Sequence, residues 1–190
     1  VVITSVDRDD LKGDFGASIW ADTIKQTKKV NPGCTVEVLT PDFKGFEPAL
    51  KIVFDSKPDI FSHNVECVER ISKAVRAQAN WQRSLGVLEK SIQHGLRTKT
   101  GIMVGLGEEV EEVKKTMRQV VDLGVQIFTI GQYLQPTKNH LKVEEYISKE
   151  QFELYKEYGY SIGFKVVESG PLVRSSYHAD EQARMVFNNG

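Results

Sequence analysis

Six short apolar runs, each followed by a segment of different periodicity, constrain this 190-residue chain more than any other feature. The runs are Val1–Val6, Thr35–Leu39, Asp59–Asn64, Thr98–Val104, Val125–Ile130 and Phe164–Glu168. They are rich in β-branched and aromatic residues, which favour strands. Between them lie helical stretches. One spans Phe15–Lys29 and is stopped by Asn31-Pro32-Gly33; another spans Phe46–Asp55 and is broken by Lys57-Pro58. A third is expected over Val65–Ala74. Trp81, Leu85, Leu88 and Ile92 share one helical face, as do Val110, Val113, Met117, Val120 and Val121, after which Leu123-Gly124 ends the helix. Lys149–Tyr160 is the last helix before the sixth run. Such alternation, at a spacing of roughly 25–35 residues, predicts an α/β chain of parallel strands with helical crossovers. A partial (β/α) barrel and an open doubly wound sheet both satisfy it.

In either architecture ligands bind at the C-terminal ends of the strands. Those ends carry Asp7-Arg8-Asp9, Pro41-Asp42, His63-Asn64-Val65-Glu66, Gly105-Leu106-Gly107-Glu108 and Gln132-Tyr133-Leu134-Gln135-Pro136. The opposite connections, such as Lys57-Pro58 and Leu123-Gly124, carry turn residues only. This asymmetry predicts a site on one rim. Asn64 and Glu66 offer an amide and a carboxylate two residues apart, suited to a ribose diol or an amino group, or to capping the helix that follows. Gly105-x-Gly107 lacks the third glycine of the dinucleotide fingerprint, and reads as a tight turn that lets a flat ligand approach the backbone. His63 is either a rim group or a satisfied core imidazole. The acidic run Glu108–Glu112 fits the first turn of a helix.

The sixth run leads into Gly170-Pro171-Leu172-Val173-Arg174-Ser175-Ser176-Tyr177-His178-Ala179. Taken locally, Ser176 caps a final helix that starts near His178. Set beside the polar strand ends, the stretch becomes an arm, over residues 169–190, that closes the mouth of a body formed by residues 1–168.

The formal net charge of −1 gives no broad attraction to nucleic acid or to a membrane surface. Cys34 and Cys67 form neither a disulfide framework nor a metal-binding spacing, as in a reducing compartment. The chain opens directly on a strand-like run without Met, so a preceding segment is expected.

Six segments, in order, resemble the lipoyl synthases, a family of radical S-adenosylmethionine enzymes. They are Val2–Leu11, Glu37–Phe43, Phe61–Glu66, Gly105–Glu108, Gly131–Pro136 and Gly170–Ala179. The resemblance covers essentially the whole chain. It implies a partial (β/α)6 barrel of the TIM type, with the first strand and the cluster loop lying upstream of Val1. It implies an enzyme that inserts sulfur at carbons 6 and 8 of an octanoyl group bound to a carrier protein, forming the lipoyl cofactor. Two 4Fe-4S clusters and S-adenosylmethionine are the implied cofactors. One cluster, on a C-x3-C-x2-C loop, cleaves S-adenosylmethionine to a 5′-deoxyadenosyl radical. The auxiliary cluster supplies the sulfur, and a serine of the Arg-Ser-Ser-Tyr motif is one of its ligands. That serine falls on Ser176, with Ser175 as the fallback, and Arg174 joins Ser176 in the catalytic set. Asn64, Glu66, Gly105, Gly107, Glu108, Gln132 and Tyr133 would surround the S-adenosylmethionine. The implied partners are octanoylated carrier domains of 2-oxoacid dehydrogenases, the glycine cleavage H protein, and an electron donor such as ferredoxin or flavodoxin. The implied location is the bacterial cytoplasm, or a mitochondrial or plastid matrix.

Two features depart from the family pattern. Neither cysteine motif occurs in these residues, so the chain by itself is expected to be inactive. Gly13-Asp14-Phe15-Gly16 replaces the usual Asp-Gly-Gly loop. Two other readings fit less of the chain: a biotin-synthase-like sulfur-insertion enzyme, and a non-catalytic module that binds an octanoylated carrier domain.

Overall fold

The computed structural model describes residues 1–78 and 80–188; the last two residues of the expected arm, 189 and 190, lie outside that range. The six expected strands all form: β1 (Val2–Thr4), β2 (Glu37–Leu39), β3 (Ile60–Ser62), β4 (Thr98–Val104), β5 (Ile127–Gln132) and β6 (Val166–Gly170). They make one parallel sheet in the order β1-β2-β3-β4-β5-β6. A doubly wound sheet reverses its strand order at a switch point. Here the order never reverses, so the partial barrel is the architecture.

Helices fill the crossovers: α1 (Ala17–Val30), α2 (Glu47–Asp55), α3 (Ser72–Val75), α4 (Trp81–Gln93), α5 (Val110–Asp122) and α6 (Lys149–Ser161). α7 (Ala179–Asn188) follows β6. α5 is fixed at its start by a reciprocal capping box between Glu109 and Glu112. The helix expected over Val65–Ala74 is instead a 3-10 turn at Glu69–Ile71 running into the single turn of α3. The cause lies at Glu66, which has a left-handed φ of 72°. Its backbone bridges β4, donating to the Gly101 carbonyl (3.2 Å) and accepting from the Met103 amide (2.8 Å). Residues paired to a strand in this way are not available to a helix.

The alternation of side chains along a strand gives the sheet two different faces. Val38, Phe61, Phe128, Ile130 and Val167 point outward into two apolar clusters shared with the crossover helices. The other parity, Glu37, Ile60, Lys99, Ile127 and Val166, points into the concave side. α7 packs there. Ala183 and Val186, with Phe187, cover Ile60, Ile127 and Val166 at the N-terminal ends of their strands. No helix among the described residues is long and apolar enough to cross a membrane.

Candidate functional site on the concave face

The arm runs along the concave side of the sheet, against the inward-facing residues Gly131 and Lys99. β6 ends at Gly170, and the chain turns, with the Val173 amide donating to the Gly170 carbonyl (3.1 Å). A second turn follows, from the Tyr177 amide to the Arg174 carbonyl (2.9 Å). Gly131, on the inward parity of β5, makes the passage possible. A β-carbon there would lie 2.3 Å from the Val173 carbonyl oxygen.

Deeper in, Lys99 Nζ donates to the Ser175 carbonyl oxygen at 2.5 Å and pairs with Glu37 Oε1 at 2.9 Å. The Lys99 and Glu37 side chains are 0% and 3% exposed. Neither Glu37 oxygen has an aligned hydrogen bond among the described residues, so the contact with Lys99 is an ion pair of poor directionality. Burial pushes the Glu37 carboxyl above its ordinary range and the Lys99 ammonium below its own; in each case the partner charge opposes the shift.

Above this pair lies a cavity of about 110 Å³, lined by Asn64, Glu66, Gly101, Thr129, Arg174 and Ser175 among others. Two of its polar groups lack partners. Asn64 Oδ1 is buried without a hydrogen bond, and no side-chain hydrogen bond to Glu66 is present among the described residues. Burial raises the Glu66 pKa, Arg76 lowers it and Asp7 raises it further. Asn64 and Glu66 therefore line one small space, the first with an unpartnered buried acceptor and the second with a carboxyl that burial holds above its ordinary range. Ser176, one residue after Ser175, lines a different and wider cleft with Glu37, Ile60 and the start of α7. Its side chain makes no hydrogen bond to the α7 backbone among the described residues, so the expected cap is absent.

The other predicted site residues gather elsewhere. Gly105 and Gly107 adopt φ of 98° and 90°. The Glu108 carboxylate accepts from the Gly105 (2.5 Å) and Leu106 (2.9 Å) amides of its own turn. A β-carbon on Gly105 would meet the Glu145 carbonyl at 2.4 Å, so this turn packs closely against the segment before α6. Gln132 lies on the outward parity. Its Nε2 donates to the Tyr133 and Glu145 carbonyls, both at 3.0 Å, and its Oε1 accepts from the Ile147 amide at 2.9 Å. Tyr133 donates its hydroxyl to the Leu141 carbonyl (2.9 Å). Gly105, Gln132 and Tyr133 thus hold the segment between β5 and α6 in place, while Glu108 braces its own turn. His63 is the satisfied core imidazole: Nδ1 lies 3.0 Å from the Thr40 carbonyl, Nε2 lies 3.2 Å from Ser84 Oγ, and burial lowers its pKa.

Sequence reasoning missed Glu37 and Lys99. The available signal was a single charge inside each of two strand-like runs, Thr-Val-Glu-Val-Leu and Thr-Lys-Thr-Gly-Ile-Met-Val, since buried charges are rare unless paired. In the loop that departs from the family pattern, Asp14 accepts from the Gly16 (3.0 Å) and Ser18 (2.9 Å) amides and so starts α1.

The residues present do not fit an iron–sulfur cluster. Among the described residues no group of three or more His, Cys, Asp or Glu side chains is placed to hold a metal ion. Cys67 is buried in the outer apolar cluster, and burial pushes its thiol up to about 12. Cys34 is half-buried near the amino group of Val1, with no second thiol.

The chain is 56% identical over 183 residues to a lipoyl synthase of Rubrobacter xylanophilus, covering 95% of this chain and 57% of that protein. It is 53% identical over 183 residues to a lipoyl synthase of Phocaeicola vulgatus, covering 96% and 64%. The chain thus spans about three-fifths of the length of these relatives, and the resemblance read from six segments is borne out. Its fold is similar to a domain of pyruvate-formate lyase-activating enzyme from Bacteroides vulgatus, with a TM-score of 0.63 at 11% identity, covering 88% of this chain and 98% of that one. The model of the Radical SAM superfamily matches residues 1–120. By that match and by the barrel that carries it, the chain belongs to the radical SAM superfamily.

Proposed function

We propose that this chain works within a lipoyl synthase, an enzyme that inserts two sulfur atoms into an octanoyl group attached to a carrier protein. The observation that carries the reading is the identity of 56% with a lipoyl synthase across 95% of the chain. S-adenosylmethionine and 4Fe-4S clusters are the cofactors of this reading. The cysteines for the clusters are not among these residues, so the 190 residues alone do not turn over.

Within the reading, the concave face receives S-adenosylmethionine, which supplies the fragment that abstracts hydrogen. Asn64 Oδ1 accepts a hydrogen bond from an amino or hydroxyl group of the ligand. The Glu66 carboxyl, with its raised pKa, donates a proton or accepts one according to its state. Asn64 is favoured over Gly105, Gly107, Glu108, Gln132 and Tyr133 because its acceptor has no other partner, whereas theirs are engaged. Ser176, in the cleft beside β1, would be the oxygen ligand of the auxiliary centre, while Arg174 lines the small cavity with Asn64 and Glu66. Octanoylated carrier domains of 2-oxoacid dehydrogenases or the glycine cleavage H protein are the protein substrates, and a ferredoxin or flavodoxin supplies electrons. The bacterial cytoplasm, or an organelle matrix, is the setting.

The test uses the full-length protein with reconstituted clusters, a reduced flavodoxin, S-adenosylmethionine and an octanoylated carrier domain. Mass spectrometry of the carrier reads the outcome. A gain of two sulfur atoms supports the reading. A carrier that binds but stays octanoylated, while S-adenosylmethionine is consumed, favours another radical enzyme; binding with neither change favours a non-catalytic module.

A further inference from the structure

The buried pair on the concave face has no part in the ligand contacts proposed for Asn64 and Glu66. Lys99 and Glu37 sit on neighbouring tiers of β4 and β2, both on the inward parity and both sealed from solvent. Isolated buried charges are costly, and a buried pair is often replaceable by apolar residues without loss of stability. A pair in this position is therefore better explained by what it holds than by what it contributes to the barrel. What it holds is the arm, through one atom: the carbonyl oxygen of Ser175, 2.5 Å from Lys99 Nζ.

That carbonyl lies where the register of the arm is decided. Ser175 lines the small cavity with Asn64 and Glu66, and Ser176 lines the wider cleft with Glu37 and α7. Two adjacent serines thus line two different spaces. A shift of the arm by one residue would move one serine into the other's space and bring Arg174 or Tyr177 into the space it left. Gly131 fixes the arm upstream, through the close approach of Val173, and α7 anchors it downstream through Ala183 and Val186. Between these points the Lys99 contact is the charge-assisted one, the stronger class of hydrogen bond.

We propose that Lys99, held by Glu37, is a positioning residue for the Arg-Ser-Ser-Tyr arm: its ammonium grips the Ser175 carbonyl and so sets which serine faces which space. The inference depends on the proposed function only for the role of Ser176; the grip itself requires no cofactor.

The experiment is hydrogen–deuterium exchange, read by mass spectrometry, on the full-length protein. Lys99→Met removes the donor but leaves Glu37 unpaired. The double variant Glu37→Leu/Lys99→Met removes the donor and leaves no buried charge. We expect exchange over residues 173–179 to rise at least tenfold in both variants, while β4 and β5 keep wild-type protection. Wild-type protection of the arm in the double variant overturns the proposal. So does exchange that rises equally in arm and sheet, or a double variant that does not fold, because the pair then supports the barrel and not the arm. A failed Ser176 assignment is separately visible as an unchanged Mössbauer spectrum in Ser176→Ala with Lys99 intact.

Discussion

The Val173 carbonyl oxygen lies against Gly131 so closely that a β-carbon at that glycine would sit 2.3 Å away, with Arg174 Nη1 at 3.2 Å. The obstructing atom is backbone, so it does not yield as a flexible side chain would. Gly131→Ala is expected to lift the arm from the concave face and to destabilise the protein by about 1–3 kcal/mol, the usual range for overpacking. Limited proteolysis reads the first effect, as accelerated cleavage between residues 171 and 179; a denaturant midpoint reads the second. Wild-type cleavage rates would show that the arm does not need this approach.

Gln132 and Tyr133 form a structural knot. Gln132→Leu removes two donated and one accepted hydrogen bond and leaves the Glu145 carbonyl and Ile147 amide without those partners. The expected cost is about 1–3 kcal/mol, because the orphaned groups are only partly buried and water can reach them. Urea denaturation measures it, and cleavage within residues 137–147 should accelerate in parallel. A variant of wild-type stability would contradict this structural role of Gln132.

Glu112 gives the protein an acid-sensitive tie. Arg70 binds its carboxylate through Nε and Nη2, both at 2.7 Å, and the Glu109 amide donates to it at 2.8 Å. These contacts, the Arg70 hydrogen bond first, lower its pKa from 4.5 to about 2. A folded pKa below the unfolded one adds stability at pH above the unfolded value, and that stability disappears as the pH falls toward the folded value. The Arg70 side chain is 58% exposed and that of Glu112 27%, so solvent screening limits the effect to about 1 kcal/mol. Between pH 6 and pH 3 the wild type should lose about this much more stability than Arg70→Met, measured by urea unfolding. Equal losses would remove the tie.

The two thiols should separate cleanly. Cys67 is 1% exposed and its pKa is pushed up to about 12, chiefly by burial. Thiolates, not thiols, react with alkylating agents. Maleimide at neutral pH should label half-buried Cys34 in the native protein, and should reach Cys67 only after denaturation. Native labelling of Cys67 would contradict its placement in the outer core.

Much of the fold was legible because its elements are long and periodic. α4 and α5 carry regular apolar faces over three turns, and β4 is a continuous run closed by Gly105. Two things escaped for identifiable reasons. The stretch after β3 reads as helix, yet the left-handed Glu66 bridges it to β4, and that contact depends on a partner 36 residues away. The candidate site was half legible for a different reason. Strand ends can be read from sequence, but which parity faces inward depends on register, and one residue inverts the answer. Gly131 and Gln132 are adjacent, yet one faces the arm and the other supports a loop on the far side. Glu37 and Lys99 look incidental within apolar runs until the barrel brings them to 2.9 Å.

The central claim is that the ligand site lies on the concave face at Asn64, not at the Gly105–Glu108 turn or the Gln132–Tyr133 knot. Equilibrium binding of S-adenosylmethionine to the full-length, cluster-loaded protein tests it most directly, with Asn64→Ala set against Tyr133→Phe. Asn64→Ala should raise the Kd about tenfold, equivalent to about 1.4 kcal/mol, while Tyr133→Phe leaves it within twofold of wild type. Unchanged binding in Asn64→Ala, with weakened binding in Tyr133→Phe, would contradict the claim.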